Sequence, residues 1–416
     1  MRRHLLATIV GGLALALIPV TAVAQTDLRG KTSGGAHYRI VVPDGWTPAG
    51  GLVIWNHGFS LDPPGPVDDL GPLVDVQLSE GYAVAASSYS QTGWALYRSR
   101  KDVTKLVKAF QKRVGDPDTI IVTGEGMGGL VTAQLVETGG IPEIVGGLPM
   151  SGTVAGSVVW GEALDMRLMY DVSCDHVPGA RIPGTANGLP EVIPPGFDAT
   201  ELFRSVDICL GTDTPPKDRS QPQSFWLAFY RNLTGGSASD VESRIMDATF
   251  GLHDLVFDPK KQRGGRGFGN RGATYEDALI DTTIARVGSG GGAARLRRNY
   301  TPTGRVGDVK IVSIHTDKDG LVIVEHESEY ASVVPPANLT TGIIVEERSS
   351  HAGFSAAETE AAWESLRSWV AGQPQPTVQN LQDSCNALVA GGTASGPCRY
   401  DPGFQIPEYN GFRQRP

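Results

Sequence analysis

Beyond its first 24 residues, the chain has no apolar run that could cross a bilayer, which takes about 20 residues. It also has no long run of like charges and no basic stripe, and its formal net charge is −9. These absences argue against a membrane span and against nucleic acid as a partner. The 53 glycines follow no periodic pattern, which excludes a collagen-like chain. A folded chain of 416 residues remains, long enough for one large domain with an insertion or for two domains.

Cysteine is scarce, with four residues in the chain. Cys174 and Cys209 lie in one region, and Cys385 and Cys398 lie together near the end. Of the three pairings that four cysteines allow, the local one, Cys174–Cys209 and Cys385–Cys398, is the simplest. The Cys-Asp-His sequence at 174–176 has no second Cys/His pair at ligand spacing. We therefore expect two disulfides, no metal and no cofactor.

The first 24 residues have the pattern of an export signal. Arg2 and Arg3 precede an apolar stretch at 5–18, and small residues at 22–24 precede Gln25 as a cleavage site. The alternative is a membrane anchor, but the apolar stretch is shorter than the ~20 residues of a span. We expect residues 1–24 to be a signal peptide and the mature protein to be secreted or periplasmic, which suits the disulfides.

Strand and helix patterns alternate along the first part of the chain. Short apolar, β-branched segments bounded by turn residues predict strands, and longer amphipathic segments predict helices. The predicted strands are 36–43, 51–56, 81–88, 118–123 and 144–150, and the predicted helices are 71–80, 94–114 and 127–137. This alternation predicts an α/β fold with a mostly parallel sheet covered by helices on both faces.

The alternation breaks at about residue 154. Irregular helical segments and Pro/Gly-rich stretches fill 154–298, which we interpret as an inserted, mainly helical cap or lid. Strands resume at 309–315 and 342–346, and an amphipathic helix at 356–370 closes the domain. We therefore expect a core formed by 25–153 and 299–372. The remaining residues, 373–416, are predicted to form an extended tail held by the second disulfide.

A glycine-rich turn joins the strand at 118–123 to the helix at 127–137. Its sequence at 124–129 is G-E-G-M-G-G, and α/β-hydrolases carry G-x-S-x-G at such a strand-to-helix turn. Both flanking glycines, Gly124 and Gly128, are present, and Gly126 occupies the position of the nucleophile. A dinucleotide-binding loop is the alternative, but that motif begins a βαβ unit and has an acidic residue about 20 positions later. The turn here follows several strands, which favours the hydrolase interpretation.

Two further positions match an acid and a base in chain order. Asp319 lies in H-T-D-K-D-G-L-V at 315–322, directly after a predicted strand, and Asp317 is the second choice. His351 follows the last predicted strand and precedes the closing helix. The acid would fix the tautomer of the histidine and stabilise its charged form, and His351 would be the general base.

The loop after the strand at 51–56 supplies a fourth element. In α/β-hydrolases this loop donates one N–H of the oxyanion hole, and the residue after the nucleophile donates the other. By position, these residues are Phe59 and Met127. The remaining candidates for the pocket are His57, Gly58, Ser60, Gln91, Trp94 and Glu125.

Together, H-G-F at 57–59, G-E-G-M-G-G at 124–129, the acid motif at 315–322 and H-A-G-F at 351–354 resemble the α/β-hydrolase superfamily, in particular secreted bacterial esterase- or peptidase-like members. The resemblance covers roughly 36–156 and 300–371, and the cap is unmatched. It implies an α/β-hydrolase fold and hydrolysis of ester bonds, ahead of amide or peptide bonds, in a small molecule or at a polymer end. It leaves the oligomeric state open.

Gly126 is the one residue that conflicts with the hydrolase chemistry implied by this resemblance. Glycine has no side chain, so no acyl-enzyme can form at this position, and removal of the serine from such a triad costs ~10⁶-fold in kcat. Four interpretations stay open: a variant of an active esterase, a pseudoenzyme that binds a ligand, an enzyme that uses His351 and Asp319 as a general base without covalent catalysis, and a protein rescued by another nucleophile, Ser60 or Ser90. A protein of esterase lineage is the main prediction.

Overall fold

A computed structural model describes residues 25–137, 140–186, 189–262, 267–275, 277–290 and 292–409 of the chain. The predicted signal peptide at 1–24 lies outside the described residues. Within the described ranges, no helix is both long and apolar enough to cross a membrane.

An eight-stranded sheet forms the centre of the molecule. Its strands alternate with helices in the first half of the chain, as the sequence pattern predicts. They are β1 Gln25–Lys31, β2 His37–Pro43, β3 Leu52–Asn56, β4 Ala83–Ser87, β5 Ile120–Glu125, β6 Ile144–Met150, β9 Lys310–Thr316 and β10 Leu339–Ile344. The order is β1-β2-β4-β3-β5-β6-β9-β10. The β1–β2 and β2–β4 pairs are antiparallel and the others are parallel. β1 was not predicted, because it is largely exposed and has no alternating apolar pattern.

Helices cover both faces of the sheet. The helices of the core are α1 Val74–Ser79, α2 Ser99–Arg113, α3 Met127–Glu137, α12 His326–Val333 and α13 Ala356–Val370. On one face, α2 and α3 pack with residues such as Ile54 and Val122. On the other face, α1 and α13 pack with the strand residues in between, such as Val53 and Ile121. Consecutive strand residues point to opposite faces, so central strands that are covered on both sides are buried along their whole length, as β3 and β4 are.

A mostly helical segment lies between β6 and β9. It contains α4 Val158–Cys174, the two-residue strands β7 Thr185–Ala186 and β8 Leu189–Pro190, α5 Ala199–Leu210, α6 Gln221–Thr234, α7 Ala238–Met246, α8 Leu252–Phe257, α9 Pro259–Gln262, α10 Ala278–Thr283 and α11 Ala293–Tyr300. A π-helical turn, Asp247–Gly251, connects α7 to α8. A disulfide between Cys174 and Cys209 joins α4 to α5, as the local pairing predicts.

The prediction of an extended tail is wrong. A helix, α14 Val378–Gly391, follows the core, and Thr377 begins it with a capping box completed by Asn380. This helix packs against the sheet face that also carries α13, and the Cys385–Cys398 disulfide joins its middle to the chain that follows it. Residues 378–391 are helical because Thr377 caps the helix and its apolar residues, such as Leu381, are buried against the sheet.

Candidate active site

The turn after β5 brings the chain very close to the end of β3. A Cβ atom at Gly124 would lie 2.7 Å from the carbonyl oxygen of Asn56, and a Cβ atom at Gly128 would lie 2.6 Å from the carbonyl carbon of Asn56. Real Cβ atoms essentially never approach this closely. Glycine at these two positions is therefore a steric requirement of the sharp turn.

Gly126 sits at the apex of this turn with φ of 56°, in the left-handed region. Its N–H donates to the Met150 carbonyl, and its own carbonyl accepts from the N–H of Thr153. A Cβ atom here would lie 3.3 Å from Nε2 of His351 and, apart from the neighbours of Gly126 in the chain, within 4 Å of no other residue that the structure describes. A side chain at this position would therefore be in close contact with the imidazole.

The predicted base and acid are brought together from two loops. His351 Nδ1 lies 2.8 Å from Oδ2 of Asp319. The other oxygen of Asp319, Oδ1, accepts the backbone N–H groups of Leu321 and Val322, at 2.9 and 2.8 Å. The Asp319 side chain is fully buried, whereas that of His351 is 26% exposed. The loop thus orients the carboxylate, and the carboxylate orients the imidazole so that Nε2 faces Gly126.

Asp317, the second choice for the acid, has a different environment. Its Oδ1 accepts the backbone N–H of Glu346 at 2.8 Å, and its own N–H donates to the carbonyl of Ile344. These bonds tie the end of β9 to the end of β10, which is the structural role that aspartate commonly has in turns. Asp319 is therefore the carboxylate that contacts His351.

A second buried histidine lies behind the acid. His315, on β9, has Nε2 at 3.5 Å from Asp319 Oδ2 and Nδ1 at 3.2 Å from Glu327 Oε1. Burial lowers the pKa of His315, but the carboxylates of Asp319 and Glu327 outweigh it and raise the pKa to about 10. Sequence reasoning did not assign a role to His315 or Glu327, although His315 lies four residues before Asp319 in the acid motif.

The imidazoles of His351 and His315 also determine the charge of Asp319. Burial raises the pKa of Asp319, but His351 and His315 outweigh it and hold the pKa well below its usual range. Burial lowers the pKa of His351, but the charge of Asp319 outweighs it, so that the pKa is raised above its ordinary value. The site therefore holds an ionised carboxylate against a histidine that can accept a proton near neutral pH.

A cavity of about 290 Å³ opens above this group. It is lined mainly by apolar side chains, with three titratable groups among them. The lining residues are Gly58, Phe59, Leu61, Trp94, Glu125, Gly126, Met127, Thr153, Val159, Ser243, Met246, Asp247, Phe250, Leu321, Val322 and His351. The π-helical turn and the end of α7 thus contribute to the same cavity as the loops of the sheet.

The two predicted oxyanion donors, Phe59 and Met127, both line this cavity. Within the described ranges, neither backbone N–H has a hydrogen-bond partner. Phe59 follows the end of β3, and Met127 is the first residue of α3, where the helix leaves its N–H groups unsatisfied. The two groups are therefore free to bind an acceptor atom of a ligand.

Three of the predicted pocket residues do not line this cavity. His57, Ser60 and Gln91 face an adjoining depression that the proline-rich loop after Leu61 forms, whereas Gly58, Trp94 and Glu125 do line the cavity. Ser60 pairs with Gly93 in an isolated β-bridge, and its side chain lines the adjoining depression and not the cavity.

Neither candidate for a rescue nucleophile lies in the cavity. The Ser60 hydroxyl donates to Asp62 at 3.2 Å, and the Ser90 hydroxyl donates to Asp102 at 2.7 Å. Because a nucleophile must lie within hydrogen-bond reach of its base, these two serines do not fit that role.

No group of three or more His, Cys, Asp or Glu residues suited to a metal occurs in the part of the chain that the structure describes. Cys174, in the Cys-Asp-His sequence, is bonded to Cys209.

No protein-family model and no curated protein sequence matches the chain. Among solved structures, it resembles a puromycin hydrolase at 13% identity and a TM-score of 0.43, over 85% of this chain and 40% of that chain. It thus spans less than half the length of that protein. It also resembles a bacterial membrane phospholipase A at 12% identity and a TM-score of 0.42, over 84% and 87% of the two chains. The esterase Est1E from Butyrivibrio proteoclasticus has 14% identity and a TM-score of 0.40, over 83% and 99%.

The fold class follows from the chain's own topology. The mostly parallel eight-stranded sheet is covered by helices on both faces, and a sharp glycine turn joins β5 directly to α3. These features define an α/β-hydrolase fold.

Proposed function

We propose that the chain is an exported α/β-hydrolase-fold protein of carboxylic-ester hydrolase lineage, in which Gly126 occupies the position of the nucleophilic serine. One observation carries this proposal. A Cβ atom at Gly126 would lie 3.3 Å from His351 Nε2, while His351 Nδ1 is bonded to Asp319. An acyl-transfer site requires a nucleophile, a base and an orienting acid in this relation, and only the side chain of the first is absent here.

The proposed domain organisation follows the cavity and the sheet. Residues 25–153 and 299–372 would form the hydrolase core, 154–298 the inserted cap, and 373–416 the C-terminal segment. The cap is supported by Ser243, Met246 and Phe250, which come from this insertion and line the cavity beside His351. Export is supported by the signal-like sequence at 1–24 and by the two disulfides.

The substrate we propose is a small ester or an ester at a polymer end. A cavity of about 290 Å³ is at the small end of the range for ligand pockets. The N–H groups of Phe59 and Met127 would bind the carbonyl oxygen, which becomes an oxyanion during attack.

A second function is favoured by the space that the missing side chain of Gly126 leaves next to His351. A water molecule in that space could donate its proton to His351 Nε2 while its oxygen attacks the ester carbonyl. The tetrahedral intermediate would then collapse, and the leaving alkoxide would take the proton back from His351. This route needs no acyl-enzyme, and a general base of this kind contributes about 10²–10⁴-fold. Without even this activity, the chain would be a ligand-binding pseudoenzyme.

The decisive experiment compares Gly126→Ser with Gly126→Ala. The two variants share the added Cβ atom and its backbone strain, and they differ only in the hydroxyl. We expect Gly126→Ser to hydrolyse p-nitrophenyl acetate with a burst and to react with a fluorophosphonate, whereas Gly126→Ala does neither. Slow turnover by the parent that disappears in His351→Ala would identify the water route. A folded Gly126→Ser protein that is as inert as Gly126→Ala would contradict the esterase lineage of the site.

A further inference from the structure

The cavity contains a carboxyl group that the proposed reaction does not use. Asp247 is the first residue of the π-helical turn Asp247–Gly251 and lines the cavity together with His351. A Cβ atom at Gly251 would lie 3.2 Å from Cγ of Asp247 and 3.3 Å from Nε1 of Trp94. Glycine at 251 therefore leaves room for the carboxyl group beside the indole ring. Turns of this kind are rare and occur frequently at functional sites.

Asp247 forms no ion pair with any residue that the structure describes. Arg244, one turn earlier, forms an ion pair with Glu162 at 3.0 Å and donates to the carbonyl of Gly320 at 2.8 Å. Across the described residues, the carboxyl group of Asp247 forms no hydrogen bond and no ion pair within 4 Å, although the charge of Arg244 still acts on it from a longer distance. A carboxyl group in a largely apolar cavity is costly unless something binds it. The cavity has room for a ligand, which could bind this carboxyl group.

The remaining walls of the cavity favour a cation as that partner. Phe59, Trp94 and Phe250 present aromatic rings, and the rings of Phe59 and Trp94 are 5.4 Å apart. None of the described residues that line the cavity is Lys or Arg. Aromatic faces combined with a carboxylate recognise ammonium groups, because the ring quadrupole and the carboxylate both attract positive charge.

We propose that the cavity binds a small ligand with an apolar body and an ammonium group, and that Asp247 and Trp94 hold the ammonium. If the protein is an esterase as proposed, the preferred ester carries a positive charge in its acyl or alcohol part. This statement about the substrate rests on the proposed function. The binding preference itself needs only the cavity, because it involves neither Gly126 nor a reaction.

Protonation of the carboxyl group makes the preference depend on pH. Burial raises the pKa of Asp247 to about 6, and the carboxylates of Glu162 and Asp254 add to this effect, while Arg244 opposes it. Glu125 and His351 also face the cavity. Cation binding should therefore weaken as the pH falls through about 6, where Asp247 becomes neutral. His351, whose pKa is raised, gains its positive charge at a higher pH and also disfavours a cation there.

Binding to the parent protein tests the proposal directly. Choline and 3,3-dimethylbutan-1-ol have the same shape and differ in charge, and calorimetric titration of both at about pH 7.5 measures the preference. We expect choline to bind at least about tenfold more tightly, which corresponds to ~1.4 kcal/mol. Asp247→Asn should abolish the preference and keep the fold. Glu201→Gln removes the same charge on the exposed side of α5 and should leave the preference unchanged. Equal affinities in the parent, or an undiminished preference in Asp247→Asn, would overturn the proposal.

Kinetics of Gly126→Ser separate this inference from the proposed function. We expect kcat/KM to be higher for acetylcholine than for its uncharged isostere 3,3-dimethylbutyl acetate, with the ratio falling towards one in Gly126→Ser/Asp247→Asn. Equal rates for the two esters would contradict the cation site and leave the esterase lineage intact. An inert Gly126→Ser variant of a parent that still prefers choline would contradict the esterase lineage and support the cation site.

Discussion

His315 Nε2 lies 3.5 Å from Oδ2 of Asp319, the same oxygen that accepts the hydrogen bond of His351. The carboxylate thus lies between two imidazoles, one buried in the core and one facing the cavity. Glu327 on the far side of His315 completes a buried row of alternating charges. This arrangement keeps Asp319 ionised even though its side chain is removed from solvent.

The first prediction concerns stability in alkaline solution. The pKa of His315 is raised to about 10 in the folded protein, against about 6.5 in the unfolded chain. The stabilisation from its charge is therefore fully present below about pH 6.5 and is lost as the pH rises towards 10. We expect the free energy of unfolding, measured in urea, to decrease across this window with a slope approaching ~1.4 kcal/mol per pH unit.

His315→Gln provides the control for this prediction. The variant cannot be charged, so the slope between about pH 6.5 and 10 should flatten. It should also be less stable at about pH 6, by roughly 3–5 kcal/mol, because two buried carboxylates lose their cation. An identical slope in parent and variant would assign the alkaline instability to other groups.

The second prediction is a pH–rate profile for Gly126→Ser. The pKa of His351 is raised by Asp319, and a general base acts only when it is unprotonated. We expect kcat/KM for p-nitrophenyl acetate to rise with pH through a midpoint above about 6.5. Adding Asp319→Asn should move the midpoint downward and reduce kcat by ~10⁴-fold, since the imidazole loses its orienting carboxylate. The matched change Asp317→Asn should alter neither the pH midpoint nor kcat. If it had the same effect as Asp319→Asn, Asp319 could not be assigned as the acid in preference to Asp317.

The third prediction compares the glycines of the turn after β5. A Cβ atom at Gly128 would overlap the carbonyl of Asn56, whereas one at Gly126 would have the side chain of His351, at 3.3 Å, as its nearest contact among the described residues. Gly126→Ala should cost about 1–2 kcal/mol, because its φ of 56° is in the left-handed region. Gly128→Ala should cost more than about 3 kcal/mol, because the backbone of the turn must move. Urea unfolding of both variants measures the difference, and equal costs would mean that the turn can open without strain.

The sheet and its glycine turn were predictable because local patterns determine them. β6 and α3 have the predicted bounds, since each is mainly apolar and is bounded by turn residues. Asp319 and His351 were found because each lies in the loop that follows a strand of the sheet. The helix α4 was missed because it is buried on nearly all sides, including Glu162 and Arg167, and so has no polar face to reveal its period.

Asp247 could not be found from the sequence for a different reason. It lies in no motif, and about 120 positions separate it from Gly126 along the chain. The packing of α7 across the acid loop brings it to the cavity, where Arg244 donates to the carbonyl of Gly320. His315 and Glu327 are similar, because their pairing depends on the approach of α12 to β9. Contacts of this kind follow from tertiary packing, which local periodicity does not encode.

The last prediction ranks the two disulfides. Cys174–Cys209 joins residues 35 positions apart, and Cys385–Cys398 joins residues 13 positions apart. In the chain-entropy account, the longer loop contributes about 1 kcal/mol more to the free energy of unfolding. Cys174 and Cys209 are both buried, whereas Cys398 is partly exposed, so a mild reductant should open Cys385–Cys398 first. Alkylation followed by mass spectrometry gives the order of reduction, and urea unfolding of Cys174→Ala/Cys209→Ala and Cys385→Ala/Cys398→Ala gives the two costs. A larger loss of stability in Cys385→Ala/Cys398→Ala would contradict this ranking. It would mean that holding α14 against α13 contributes more to the free energy of unfolding than linking α4 to α5.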